Sequence, residues 1–264
     1  MSTATQTLDL SDTQKVPFSR LVAVELRKTY DTRAGFWLLA AIAALVLITE
    51  TIALIVTVVQ DEPMLWGDFV GAAAFVTSIF LPVLGIMLVT SEWSQRTAMV
   101  TFALEPRRPL VIAAKALTGV ILTFVTAAVA LVIGAICNLL YSIFQGGGDW
   151  ELGWNFLIGF LITQTLAMLG GFALATLLLN TPAAIVVFFI YKWVLPGLFA
   201  LGSALMDWFG DLAPWIDFQG AQSPLFELTV DTGEEWGHLI TSGLLWLVLP
   251  IVLGLRRILR AEVK

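Results

Sequence analysis

With 264 residues, of which 58% are hydrophobic and only 13% charged, and a mean hydropathy of +0.89, the chain is far more apolar than a soluble domain, in which roughly 25% of residues are charged. Several spans of about 20 residues take up roughly half of such a length, which leaves no room for a separate soluble catalytic domain. The net charge of −6 conceals a segregation of positive and negative loops, and a single cysteine, Cys137, excludes an intramolecular disulfide and a multi-cysteine metal site.

Residues 1–17 are polar and rich in Ser, Thr, Gln and Asp, without a basic stretch leading into a short apolar run. They read as a disordered cytoplasmic tail rather than a cleavable signal peptide. Residues 18–264 read as one all-α transmembrane domain. Its first segment, residues 18–33, sets Phe18, Leu21, Val22 and Leu26 on one helical face and Arg20, Arg27 and Asp31 on the other, the pattern of an interfacial helix along the inner leaflet. Glu25 falls amid the apolar face, where an unpaired carboxylate is costly, so it is expected to pair with Arg96 or Lys115.

Six apolar runs follow, at about residues 36–59, 69–90, 117–144, 156–179, 183–206 and 239–255. The third extends back to residue 111, with its first turn at the surface; the sixth is short and carries Pro250, which can kink it. Lys and Arg precede the first span, lie between the second and third, and follow the last, whereas the loops 60–68, 145–155 and 207–237 carry only acidic charge. Positive loops are retained on the cytoplasmic side, so an even number of spans with both termini inside satisfies the alternation. Trp66, Trp150, Trp154, Trp208, Trp215 and Trp236 sit at the outer boundary as an aromatic belt. The outer loop 207–237 is too apolar for a disordered linker and is expected to fold back against the membrane surface.

Between the second and third spans, residues 91–109 read as a short cytoplasmic helix. Trp93, Val100 and Leu104 recur along one side, Glu92 and Arg96 stand at i, i+4 and can pair, and Pro106 breaks the helix ahead of Arg107 and Arg108. Such a helix offers a soluble partner a handle on the membrane domain. A basic loop that only fixes topology is the plainer alternative. Enzymatic readings lack their residues: His238 is the only histidine, no G-x-x-x-x-G-K-[ST] occurs, and Gly146, Gly147 and Gly148 lack a following Lys and read as a turn.

The stretch Glu92, Thr97, Thr101, Pro106-Arg107-Arg108 and Ala114-Lys115 resembles the E-x(4)-T-x(3)-T-x(4)-P-R pattern, followed by A-K, of bacterial ABC transporter permeases of the ABC-2 export type. Glu25-Leu26-Arg27-Lys28 and Thr32-Arg33 also resemble the helix that leads into that family's first span. Where the family often carries Gly before the first Thr, this chain has Arg96. The resemblance implies a half-transporter in a bacterial cell membrane, paired with a second, identical or homologous permease subunit and surrounded by lipid. Cytoplasmic ABC ATPase subunits would dock on Glu92, Trp93, Arg96, Val100, Leu104 and Arg107, with ATP and Mg bound in that partner and no cofactor or nucleic acid on this chain. Loop 207–237 would be its outer cap, and a lipophilic drug, peptide or lipid its cargo.

Two ionisable residues lie inside spans: Glu50 about 21 Å and Lys192 about 13.5 Å along their helices from the inner ends, at 1.5 Å per residue. Charges at such depth are expected to face a cavity or a partner, and a Glu50–Lys192 pair is one way to satisfy both; the other is that Lys192 snorkels and Glu50 is protonated or close to the outer surface. Gly171 and Ala175 form a small-xxx-small packing pair. A secondary transporter or channel would need more intramembrane carboxylates than Glu50 provides, and a non-transporting assembly protein is the third reading.

Overall fold

The computed structural model describes residues 15–146 and 149–260. Most of the tail expected at residues 1–17, two glycines of the triple-glycine turn and the last four residues lie outside the described residues. Among the described residues the chain is helical and forms no strand. After α1 (Phe18–Asp31) come α2 (Arg33–Gln60), α3 (Trp66–Ser94), the short α4 (Ala98–Leu104), α5 (Arg108–Gln145) and α6 (Trp154–Leu178). Then follow α7 (Thr181–Leu205), α8 (Asp207–Ile216), α9 (Phe218–Ala221) and α10 (Gly233–Arg260). Six of these, α2, α3, α5, α6, α7 and α10, are long and apolar enough to cross a membrane, which makes this a multi-pass membrane protein.

The bundle is organised around α3, which packs on α2, α5 and α6. Over its most apolar window 61% of residues are buried, against 11% for α7 and 17% for α10, so the last two spans lean on the outside of a core made by the first four. Small residues set the α3–α6 approach: Gly171 lies on the Pro82 backbone, and a Cβ on Gly85 would come within 2.5 Å of the Met168 carbonyl. Gly171 is thus a packing residue, as its spacing with Ala175 suggests.

The sixth span is longer than the 239–255 read from hydropathy. Thr232 and Glu235 form a capping box that starts α10 before the apolar stretch, and Arg257 and Arg260 continue its last turn. Pro250 is accommodated by a π turn at Leu244–Val248; the same device, Ile190–Val194, precedes Pro196 in α7. A proline lacks the N–H that would bond the carbonyl four residues back, and widening the preceding turn relieves the clash of its ring with that carbonyl.

Residues 207–237 are not an irregular loop: they make α8, α9, a 3₁₀ turn (Ser223–Phe226) and the start of α10, and residues 218–226 of them fold inward. Gly159 of α6 lies against the carbonyls of Leu225 and Phe226, Phe226 meets Phe156 edge to face with ring centroids 5.6 Å apart, and Gln219 Nε2 donates to the Tyr191 and Lys192 carbonyls at 2.7 and 3.3 Å. Within the π turn the bonds run five residues back, Leu195 to Ile190, so Pro196 leaves the Tyr191 carbonyl without its N–H, and Gln219 serves that acceptor. The same inward fold fixes Trp246, whose Nε1 donates to the Ile216 carbonyl at 2.8 Å.

Loops of one charge meet at one end. At the acidic end Gln145 Nε2 donates to Asp61 Oδ1 at 2.8 Å, and the Tyr141 hydroxyl to the Glu62 carbonyl at 3.0 Å. At the basic end Arg108 Nη1 donates to the Ile258 carbonyl at 2.5 Å, and Arg257 Nη1 to the Leu177 carbonyl at 2.6 Å, so two arginines satisfy helix-terminal acceptors of neighbouring spans.

Candidate functional site

At the basic end α1 lies across the ends of α2 and α5, and its only buried residues are Val22 and Glu25. Glu25 is 5% exposed and meets Lys115 of α5: Lys115 Nζ donates to Glu25 Oε2 at 2.6 Å. Of the two cations named for Glu25 from sequence, Lys115 is the partner and Arg96 is not. Lys28, one turn along α1, donates to Glu25 Oε1 and to Glu92 Oε1, each at 2.7 Å. Lys115 Nζ lies 3.3 Å from Glu92 Oε1. Two carboxylates and two ammonium groups therefore alternate in a closed ring that joins α1, α3 and α5 and carries no net charge.

The same ring explains the spacing of the motif. Glu92 Oε1 also accepts from the Thr101 hydroxyl at 3.0 Å, while the Glu92 carbonyl accepts from the Thr97 N–H at 2.9 Å. The residues five and nine positions after Glu92 thus close a turn over it and hold α4 against α3. Burial pulls the Lys28 ammonium down, but its hydrogen bonds to Glu25 and Glu92 outweigh that and hold it above the usual lysine value. Lys28 and Thr101 stand in the two family-like stretches, but the sequence reading gave neither a part in pairing with Glu25 or Glu92. The i, i+3 spacing of Glu25 and Lys28 was the available signal.

Residues 91–105 are not one helix. The chain breaks after Ser94, with Arg96 at φ 57, in the left-handed region that glycine adopts at no steric cost. Trp93, Val100 and Leu104 consequently do not share a face. Trp93 packs against the core and stands 6.3 Å from the Phe102 ring, while Val100 and Leu104 are 59% and 78% exposed. The inward side of α4 is Ala98 and Phe102. Arg96 is exposed, and Glu92 turns to Lys28 and Lys115 instead of to it.

Arg107 grips Glu105 with both side-chain and main-chain nitrogens, at 2.8 to 3.1 Å, and its Nη2 donates to the Val16 carbonyl at 2.9 Å. The guanidinium holds the Glu105 carboxyl below the usual carboxylate range. Beside the ring a cavity of about 350 Å³ is lined by residues of α1, α2, α3, α4 and α5, Val100 and Thr97 among them.

Glu50 and Lys192 do not form the ion pair that their depths allow. Glu50 is fully buried, its carboxylate 3.6 Å from where a Cβ on Gly134 of α5 would lie, and neither oxygen has a hydrogen-bond partner among the described residues. Lys192 lies in the π turn of α7 on the cavity between α3, α6 and the inward-folded segment. Among the described residues no three His, Cys, Asp or Glu side chains gather into a group able to hold a metal ion.

No known protein-family model matches this chain, and no curated protein matches it.

Proposed function

We propose that the chain is the membrane-spanning permease subunit of an ATP-driven exporter of the ABC-2 type, coupled to a separate cytoplasmic ATPase and paired with a second permease subunit. On this reading the basic end is cytoplasmic, α1 is the interfacial helix, α4 is the coupling helix and the segment 207–237 caps the outer end. The observation that carries it is the charge ring under α4. A seven-residue helix with Val100 and Leu104 exposed is too short to hold its own position. It is instead clamped through Thr101 and Glu92 to α1, α3 and α5 at once. A push on α4 is thereby delivered to two spans and the leading helix together, which is what a mechanical coupling element has to do.

Substituting Val100 or Leu104 by Asp tests this directly, because both side chains are outside the core and their loss leaves the fold intact. The variants should insert and assemble as wild type does, while the ATPase detaches or hydrolyses without stimulation and export stops. Equal ATPase recruitment and export in both variants would remove α4 from the coupling path. An ion-coupled carrier is favoured by one observation, the unpartnered carboxylate of Glu50. Transport that survives Val100→Asp and is abolished by Glu50→Gln would select it.

A further inference from the structure

A cavity of about 350 Å³ opens between α3, α6, α7 and the inward-folded α9 and 3₁₀ turn. Its lining divides by chemistry. Phe75, Phe188, Phe218 and Phe226 supply an apolar wall, Lys192 supplies one cation, and among the described residues no Asp or Glu lines it. Among the described residues no carboxylate forms an ion pair with Lys192. The nearby acid, Asp217, is turned away: its Oδ1 accepts from the Gln219 N–H at 3.1 Å, and it lines the adjoining cavity. Lys192 is half-buried, and a cation at such depth in a span without a counter-ion is expensive unless something anionic visits it.

A second group is also left over. Gln164, which lines the same cavity, is 2% exposed; its Nε2 donates to the Ala74 carbonyl at 3.2 Å, but its buried Oε1 accepts from no donor among the described residues. A buried acceptor without a donor is destabilising until one arrives. Gln219 and Gln222 are already committed to backbone carbonyls and do not supply it. The π turn sets Lys192 here, and the exposed pair Phe75 and Trp193, 6.1 Å apart, stands where the cavity meets the outer surface of the bundle.

We propose that this cavity binds a single-chain amphiphile whose head presents an anion to Lys192 and an adjacent N–H or O–H donor to Gln164, with its chain along the phenylalanines. The volume fits one chain and a small head. N-acyl amino acids and single-chain lipids with a phosphate and a hydroxyl both carry this head. That such a molecule is the exported cargo rests on the permease reading; that it binds here does not.

The test uses the full chain purified into phosphatidylcholine nanodiscs, with no ATPase present, and isothermal titration of three probes: N-lauroylglycine, its uncharged methyl ester and lauroyl lysophosphatidylglycerol. At least one anionic probe should bind about tenfold or more tightly than the ester, the worth of a charge-assisted hydrogen bond. Lys192→Met should erase that preference and Lys192→Arg restore it. The tighter of the two anionic probes identifies the source, acylated amino acid or lipid. An ester that binds as well as either acid, or an unchanged preference in Lys192→Met, would overturn the proposal. The ester comparison needs no variant and decides the matter even if a substituted chain misfolds. Failure here removes the cargo assignment and leaves the ATPase coupling standing, whereas loss of ATPase coupling leaves this binding untouched.

Discussion

Lys115 is a buried lysine and Lys192 a half-buried one, and they are treated in opposite ways. Lys115 is 2% exposed and sits between Glu25 and Glu92. Lys192 borders a cavity of similar size to the one beside the ring but pairs with no carboxylate among the described residues. The first charge is consumed by architecture: its partners come from α1 and α3, and it holds those helices to α5. The second is left unspent, and nothing in the packing of α7 requires a charge at that position. A paired buried charge is therefore read as a joint, and an unpaired charge bordering a cavity as a site.

The largest effect that follows is on stability. Lys115→Met leaves two buried carboxylates with only Lys28 between them, and breaking a buried pair from one side costs about 3–5 kcal/mol. Thermal denaturation of the detergent-purified chain should show a clear fall in Tm for Lys115→Met. Lys192→Met removes an uncompensated charge and should leave Tm unchanged or raise it. Comparable losses in both variants would erase the distinction between the two lysines.

Glu25→Gln is next in size. It keeps the shape of the ring but takes one of the two carboxylates from Lys115, a loss of about 1.5–3 kcal/mol for a charge-assisted hydrogen bond. Because Glu25 is the point at which α1 is tied to α5, transport should suffer more than membrane insertion. Insertion and transport falling in parallel would make the ring a folding device alone.

The smallest effect is on the alkaline side. Lys28 is held above its ordinary value of 10.5, so its contribution is present below that value and is lost as pH rises through the higher, folded one. Tm should be insensitive to this group near neutrality and should fall in strongly alkaline buffer, and Lys28→Met should blunt that fall. An identical alkaline slope in the variant would place the lost proton elsewhere.

Hydropathy and charge segregation made the six spans legible, because length and composition are local properties. The partner of Glu25 was legible for a related reason: a carboxylate on an apolar helical face must find a cation, and few were near. Arg96 hid the break between α3 and α4, since the periodicity of Trp93, Val100 and Leu104 runs through it and a left-handed non-glycine residue costs only about 1–3 kcal/mol. Depth along a helix says nothing about which faces adjoin, and for that reason Glu50 and Lys192 matched on paper while lying on different sides of α3. The inward fold of residues 218–226 depends on Gln219 reaching a carbonyl left over by Pro196, a tertiary event that neither segment announces by itself.

The most direct measurement is purification of the chain from membranes of cells that co-express candidate cytoplasmic ATPases, followed by ATP hydrolysis by the isolated complex. A subunit carrying a P-loop should co-elute with the wild-type chain, hydrolyse ATP at a rate that responds to the permease, and be lost from Leu104→Asp. A chain that elutes without any such subunit, yet moves cargo across a sealed vesicle on an ion gradient alone, would contradict the permease assignment.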